Sequence, residues 1–235
     1  MYYFLLAIIQ GISEFLPISS TGHLNLAQHL FKLTPSLSLD IFLHIGTLIA
    51  VLFFFRNQIK YFFSNIFFIV LASVPAALVG ILFKSQISNI FSSISFLPYF
   101  FLITSILLFS TKFIKVKNNH LSIKNALIIG LFQALAILPG VSRSGATITA
   151  GLLMGLSPLE AFNFSFCLFI PATLGAVLLD YKNLTFSSSL LLPLILTILV
   201  GLVSLNILKN ILISKNFWKF GIYTLILAII LFFML

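Results

Sequence analysis

The chain has 235 residues, of which 60% are hydrophobic and 7% are charged, whereas a soluble domain carries roughly 25% charged residues. This composition, with its long apolar runs, excludes an ordinary soluble domain and indicates an integral membrane protein. The net charge of +9 is better explained by topology signals at the membrane edges than by nucleic acid binding. The single cysteine, Cys167, excludes an intramolecular disulfide and cysteine-based metal sites.

The first apolar run extends from Tyr2 to Pro17. At about 1.5 Å per residue it covers roughly 24 Å, which is less than the hydrocarbon thickness of about 30 Å. A polar turn and a second short arm, from His23 to about Phe31, follow it. Two short arms around a polar turn predict a re-entrant hairpin, which membranes tolerate only where protein buries it or it lines a cavity. We expect this run to be part of the fold, because no basic region precedes it as in a signal peptide.

The rest of the chain repeats this order of segments. The predicted segments are full spans at 38–56, 61–83 and 94–111, a basic link at 112–121, short arms at 122–138 and 146–156 around a polar turn at 139–145, and full spans at 159–180, 188–208 and 217–235. The pattern predicts a single membrane domain, 1–235, built from repeat one at 1–111 and repeat two at 122–235.

Each predicted half has three spans, so the second half enters the membrane from the opposite side, which makes an inverted-topology repeat. The predicted fold is therefore all-α, with each half a re-entrant helical hairpin plus three transmembrane helices. The basic residues outside the second turn divide unequally. One predicted side carries Arg56, Lys60, Lys112, Lys115, Lys117, Lys124, Lys209, Lys215 and Lys219, and the other carries Lys32, Lys84 and Lys182. The richer side is expected to be cytoplasmic.

The two predicted polar turns carry matched sequences. Aligned without gaps, Gln10 falls on Gln133, Ser19 on Ser142, Ser20 on Arg143, Thr21 on Ser144 and Gly22 on Gly145. A helix N-terminus with hydroxyls and glycines suits phosphate, and Arg143 can bind phosphate oxygens in a bidentate manner. Helix capping alone would explain a single such turn. The matched pair instead predicts an oxyanion site made by Ser19, Thr21, Gly22, Ser142, Ser144 and Gly145.

An ionisable side chain lies inside the first apolar arm. Gln10 and Glu14 share one helix face, and a carboxylate at membrane depth is a functional hypothesis by default. A structural ion pair between Glu14 and Arg143 is the plainer alternative. His23 lies three residues after Ser20, close enough to serve as a base or as a nucleophile.

A transporter or lipid flippase is the rival class, because inverted repeats with broken helices are also a transporter design. A transporter needs no nucleophile, so Ser20 and His23 beside Glu14 favour an enzyme. An ion channel is disfavoured because no charged ring or carbonyl filter motif is repeated. The role of His44 stays open between membership of the site and a hydrogen bond between helices.

The motifs resemble those of a known family. The first is Gln10-Gly-Ile-Ser-Glu14 with its continuation Phe-Leu-Pro-Ile-Ser-Ser-Thr-Gly-His23, and the second is Pro139-Gly-Val-Ser-Arg-Ser-Gly-Ala-Thr-Ile148. With the segment from Ser165 to Gly175, they make the chain similar, nearly end to end, to the undecaprenyl-diphosphate phosphatases. These are integral membrane enzymes linked to bacitracin resistance.

The resemblance implies removal of the terminal phosphate of undecaprenyl diphosphate, which yields the carrier lipid for peptidoglycan synthesis. It implies Glu14, Ser20, His23 and Arg143 as catalytic residues. Of the three possible nucleophiles we favour Ser20, with His23 and water as the alternatives. It also implies a divalent cation, Mg²⁺ or Ca²⁺, near Glu14 and Gln10. Gln is an accepted alternative to Glu at position 10, although a neutral amide should hold metal more weakly.

The resemblance further implies the cellular setting. We expect a multi-pass protein of the bacterial inner membrane whose active site faces the periplasmic or outer side. The expected partners are a polyprenyl diphosphate and membrane lipid, with no nucleic acid. A homodimer is a further possible assembly.

Overall fold

The structure is a computed structural model that describes residues 2–33, 37–91, 93–115, 117–179 and 190–235. Within these ranges the chain forms α-helices and short 3-10 helices, and no β-strand. The α-helices are α1 (Tyr2–Ser13), α2 (Ser20–Leu30), α3 (Leu37–Phe54), α4 (Ile59–Ser64), α5 (Ile66–Leu82), α6 (Lys84–Phe91), α7 (Leu97–Ser110), α8 (Ile123–Leu135), α9 (Arg143–Leu153), α10 (Pro158–Leu179), α11 (Leu191–Ile213) and α12 (Phe220–Met234).

Several described segments are long and apolar enough to cross a membrane. They are Ile94–Phe113, Pro158–Leu179, Leu191–Ile213 and Phe217–Met234. Two bent pairs also qualify if each counts as one span, namely Leu39–Phe54 with Arg56–Ser64 and Ile66–Leu82 with Lys84–Phe91. The described residues therefore contain between 4 and 6 candidate spans, and the prediction of an all-α, multi-pass membrane protein is confirmed at this level.

Two of the predicted spans differ from the observed helices. The span predicted at 38–56 continues beyond a 60° bend into Arg56–Ser64, and the one predicted at 61–83 begins only at Ile66. A second bend, of 78°, precedes Lys84. Both bends fall immediately before an exposed basic residue. Lys182, the end of the span predicted at 159–180 and the start of the one at 188–208 lie outside the described residues.

The short arms form two helical hairpins. In the first, α1 and α2 flank the turn 14–19, and in the second, α8 and α9 flank the turn 136–142. At about 1.5 Å per residue none of the four helices reaches 30 Å. The second arms begin at Ser20 and Arg143, three residues earlier than predicted in both cases, because Ser19 and Ser142 act as their N-caps.

The helices pack mainly between the two predicted halves. α1 and α3 pack on α11, α5 packs on α8, and α7 packs on α12. A buried phenylalanine cluster lies against the first hairpin, where Phe15 contacts Phe166 and Phe169 at ring-centroid distances of 5.8 and 6.1 Å. Because Phe15 directly follows Glu14 in the chain, this cluster anchors the polar turn in the protein interior.

Candidate active site

A serine hydroxyl caps the helix that follows each of the two turns. The Ser19 hydroxyl accepts a hydrogen bond from the N–H of Gly22 at 3.4 Å, and the Ser142 hydroxyl accepts one from the N–H of Gly145 at 3.1 Å. Serine is a preferred N-cap because its oxygen satisfies an otherwise free helical N–H. Helix capping is therefore present at both turns, as the plainer interpretation of each turn expected.

The turns also contact each other directly. The Ser19 hydroxyl accepts a second hydrogen bond, at 3.1 Å, from the N–H of Gly140 in the other turn. Gly140 has a φ of 101°, and a Cβ there would lie 2.8 Å from the Cβ of Phe100. Only glycine adopts this backbone conformation without strain, so Gly140 is what lets the second turn approach Ser19.

Thr104, from α7, holds the second turn from the other side. Its hydroxyl donates to the carbonyl oxygen of Gly140 at 2.8 Å and accepts from the N–H of Ser142 at 3.1 Å. Sequence reasoning missed this residue. A threonine in an apolar span usually bonds to its own helix, and nothing in the surrounding sequence marks Thr104 as different.

Glu14 is the centre of the polar cluster. Its Oε1 accepts from Nη2 of Arg143 at 2.7 Å, and its Oε2 accepts from Nε2 of Gln10 at 3.2 Å and from the hydroxyl of Ser20. The Glu14 side chain is 8% exposed. Charge-assisted hydrogen bonds to a buried carboxylate are among the stronger ones in proteins. The ion pair considered from the sequence is therefore present, and a serine hydroxyl shares the same carboxylate.

A cavity of about 200 Å³ opens beside this cluster. Its lining includes Glu14, Ser20, Thr21, His44, Ser142 and Arg143. Both hairpins thus supply polar groups to one small space. A cavity with hydroxyls, an imidazole, a guanidinium and two nearby helix N-termini suits a phosphate group.

His44 is the imidazole at this cavity. Its Nδ1 lies 2.7 Å from the carbonyl oxygen of Asp40, and its Nε2 lies 3.6 Å from Oε2 of Glu14. Because a carbonyl oxygen can only accept, Nδ1 carries a proton and Nε2 is the nitrogen that can exchange one at the cavity. His44 therefore both bonds to its own helix and joins the site.

His23 has a different environment. Its Nδ1 donates to the carbonyl oxygen of Ser19 at 2.7 Å, and its Nε2 is 2.7 Å from the hydroxyl of Tyr223, on whose ring it stacks. His23 is not among the lining residues of the cavity. The sequence-based expectation that His23 stands beside Ser20 as its base does not match this arrangement, because both ring nitrogens already have partners. Its catalytic role stays a prediction.

The other predicted phosphate-binding residues divide into two groups. Ser19, Thr21 and Ser142 line the cavity. Ser144 instead lies buried with its hydroxyl 3.2 Å from that of Ser142. A Cβ at Gly22 would lie 2.6 Å from Cζ of Phe101, and one at Gly145 would lie 3.3 Å from Cβ of Pro17. In this arrangement both glycines serve close packing around the turns.

The residues predicted to hold a cation, Glu14 and Gln10, form hydrogen bonds with protein groups. Both oxygens of Glu14 accept protein donors, and Gln10 directs its own donor, Nε2, at Glu14. Among the described residues no group of three His, Cys, Asp or Glu side chains is placed to hold a metal ion. A ligand set made of Glu14 and Gln10 does not fit this arrangement, so we derive no step through a metal. The cation requirement stays a prediction.

Comparisons with known proteins agree over almost the whole chain. The family model described as bacitracin resistance protein BacA matches residues 3–230. An undecaprenyl-diphosphatase of Thermosipho africanus is 41% identical over 99% of both chains. One of Thermosipho melanesiensis is 40% identical over 96% of this chain and 95% of the relative, and one of Methanobrevibacter smithii is 36% identical over 97% and 95%.

Proposed function

The chain belongs to the bacitracin resistance protein BacA family, and we propose from this membership that it is an undecaprenyl-diphosphatase. It hydrolyses undecaprenyl diphosphate to undecaprenyl phosphate and inorganic phosphate, which recycles the carrier lipid for peptidoglycan synthesis. The observation that carries the proposal is the shared contact of Glu14 with Ser20 and Arg143. One buried carboxylate thereby links a potential nucleophile to a cationic group.

The first step is attack by Ser20. The terminal phosphate enters the 200 Å³ cavity, where Arg143 and the N-termini of α2 and α9 stabilise its negative charge. The Ser20 oxygen bonds to the terminal phosphorus while its proton passes to Oε2 of Glu14. The bond from phosphorus to the bridging oxygen breaks, and undecaprenyl phosphate leaves with the electron pair.

The second step releases phosphate. A water molecule attacks the phosphorus of the phosphoserine, and Nε2 of His44 takes the proton that this water loses. The bond between the Ser20 oxygen and phosphorus breaks, Glu14 returns its proton to Ser20, and His44 gives its proton to the departing phosphate. The position of His44, 3.6 Å from Glu14, supports this division of roles. A phosphorylated His23 and direct attack by water are the competing routes.

The membrane arrangement belongs to the same proposal. The two hairpins are re-entrant and related by an inverted repeat, with repeat one at 1–111 and repeat two at 122–235. The protein lies in a bacterial inner membrane, and the basic link 112–121 is on its cytoplasmic side. The shortness of α1 and α8 and the direct contact of the two turns support it. The cavity then opens toward the periplasmic or outer side. A homodimer is a further prediction, which the mass of the purified protein–detergent particle would test.

The deciding experiment measures phosphate release from undecaprenyl diphosphate by the purified chain in detergent. Glu14→Gln is the matched variant, because it keeps the size of the side chain and removes its charge. We expect release by the wild type and its near loss in the variant. Movement of a prenyl lipid across liposomes without any release of phosphate would overturn the phosphatase and favour the transporter.

A further inference from the structure

A second cavity, of about 540 Å³, adjoins the polar one. It lies between α5, the end of α8 and α10, and its walls are mostly apolar side chains and small residues, among them Ala77, Ile137 and Gly175. The two cavities share Ala136, Arg143, Ala172 and Ala176. A volume of this size is typical of sites for small ligands, so it can hold part of a lipid chain whose headgroup reaches Arg143.

Gln133 is the exceptional residue of this apolar cavity. It is 3% exposed and lines the cavity, yet neither its amide oxygen nor its amide nitrogen has a hydrogen-bond partner among the described residues. Buried amides without partners are costly to fold. Nη1 of Arg143 is likewise buried without a partner there, although Nη2 is bonded to Glu14. Gln133 and Arg143 thus both line the apolar cavity, and each carries an unpaired donor.

The matching residue of the first hairpin makes the contrast clear. Gln10 donates to Glu14, four residues later in the same hairpin. In the second hairpin the position that matches Glu14 is Ile137, which is apolar and lines the cavity. Gln133 therefore has no side chain of its own hairpin to bind, and the cavity is the direction in which a partner can reach it.

The position of Gln133 is held by close helix packing. A Cβ at Gly130, one turn earlier on α8, would lie 2.5 Å from the backbone oxygen of Ala72 on α5. The two helices consequently touch through their backbones at this level.

We propose that Gln133 and Nη1 of Arg143 bind the phosphate that stays with the lipid, while the first prenyl units occupy the 540 Å³ cavity. This inference rests on the proposed function. Arg143 then spans the reacting diphosphate, with Nη2 near the transferred phosphate and Nη1 on the retained one. Gln133 thus binds the lipid-attached phosphate in both the substrate and the lipid product, whereas the released inorganic phosphate does not contact it.

The test compares Gln133→Leu with Thr149→Val. Thr149 is also fully buried with an unpartnered hydroxyl, but it is not among the lining residues of either cavity. We expect Gln133→Leu to raise the KM for undecaprenyl diphosphate and the inhibition constant of undecaprenyl phosphate by a similar factor, about 10-fold or more. Inhibition by inorganic phosphate should not change, and Thr149→Val should leave all three constants unaltered.

The inference would be overturned if Gln133→Leu and the wild type had the same KM for undecaprenyl diphosphate and the same inhibition constant for undecaprenyl phosphate. It would also be overturned if the variant weakened inhibition by inorganic phosphate as much as inhibition by undecaprenyl phosphate. A purely structural role would instead lower the Tm of Gln133→Leu without this selectivity. Gly175→Leu gives an independent check, because a Cβ at Gly175 meets nothing within 4 Å and the larger side chain would occupy part of the cavity. It should raise the same two constants, with Gly175→Ala raising them less, and unchanged constants would remove the prenyl chain from this cavity.

The outcomes also separate this inference from the proposed function. If the wild type releases no phosphate, the phosphatase is wrong, and direct binding of undecaprenyl phosphate to wild type and Gln133→Leu still tests the inference. If the wild type is active and the two proteins bind this lipid equally, only the role of Gln133 is wrong.

Discussion

Glu14 and Arg143 are 129 residues apart in the chain and are joined by a hydrogen-bonded ion pair of 2.7 Å. Each comes from the turn of a different hairpin, and each is largely shielded from solvent. Neither charge would be stable in this environment alone. The ion pair therefore belongs both to the polar cluster and to the contact between the two hairpins.

Replacement of Arg143 by alanine should strongly lower turnover in a protein that still folds. We expect Arg143→Ala to lower turnover by about 100- to 1,000-fold, because charge on the transferred phosphate loses its main cationic partner. The variant should stay folded with a free energy of unfolding lower by roughly 3–5 kcal/mol, since Glu14 is left buried and unpaired. Phosphate release and thermal unfolding measure the two effects. The exposed Arg56→Ala is the control, and near-normal hydrolysis by Arg143→Ala would exclude Arg143 from the mechanism.

Ser20 should carry the phosphoryl group. A short incubation with substrate labelled in the terminal phosphate, followed by a denaturing quench at neutral pH that preserves both phosphoserine and phosphohistidine and then by peptide mapping, should find the label on Ser20. Ser20→Ala should form no labelled enzyme, whereas Ser110→Ala, at the far end of α7, should label normally. A label on His23, or turnover by Ser20→Ala at the wild-type rate, would contradict this assignment.

His44 should contribute more to turnover than the sequence motifs suggest. We expect His44→Asn to lower kcat by about 100-fold, within the usual range for general acid–base groups, since its Nε2 faces Glu14. Tyr223→Phe, which removes the hydroxyl bonded to His23, should change kcat less. The comparison with His23→Ala decides between the imidazoles, and a far larger loss in His23→Ala would mean that its ring enters the cavity during turnover.

In the wild type Gln10 donates to Glu14 and the two residues form no cation site, whereas Gln10→Glu should create one. Gln10→Glu places a second carboxylate beside Glu14, and paired carboxylates are what Mg²⁺ prefers among protein ligands. The variant should lose activity on chelation and regain it with added Mg²⁺ at lower concentrations than the wild type needs. Gln10→Leu, which offers no ligand, is the control. Identical Mg²⁺ titrations for Gln10→Glu and wild type would argue against a cation at this position.

Gly130 should be a stability determinant. Its missing Cβ leaves room for the backbone oxygen of Ala72, 2.5 Å from where the carbon would stand. Gly130→Ala should therefore cost about 1–3 kcal/mol by overpacking, despite the better helix propensity of alanine. Thermal unfolding of the purified protein measures the effect. Gly175→Ala, with open space around it, should not lower the Tm.

Much of the architecture could be predicted from the sequence, because bilayer thickness and hydropathy are strong constraints on helix length. The paired turns were found from Ser19, Ser142 and their neighbours, whose spacing is repeated. The bends before Arg56 and Lys84 were missed, because an apolar run shows its length and not its direction. Thr104 was missed for the opposite reason, since its partners lie more than 30 residues away, in a backbone that only the fold brings near.

The histidines show the same limit. Proximity in sequence placed His23 next to Ser20, but the ring faces Tyr223, which lies 200 residues further along the chain. His44, without a motif of its own around it, reaches Glu14 because α3 packs beside α1. The repeated spacing of the motifs identified the turns that carry polar groups. The directions of the histidine side chains depend on contacts between helices that are distant in the sequence, and no local pattern indicates those contacts.

The packing of helices from one half onto the other has a consequence for biosynthesis. α1 packs mainly on α11, and α5 packs mainly on α8. Until Arg143 has been synthesised, Glu14 lacks its ion-pair partner, and the first hairpin lacks the second hairpin that it contacts. The carboxylate of Glu14 therefore gains its ion-pair partner only when the second hairpin, which carries Arg143, is synthesised.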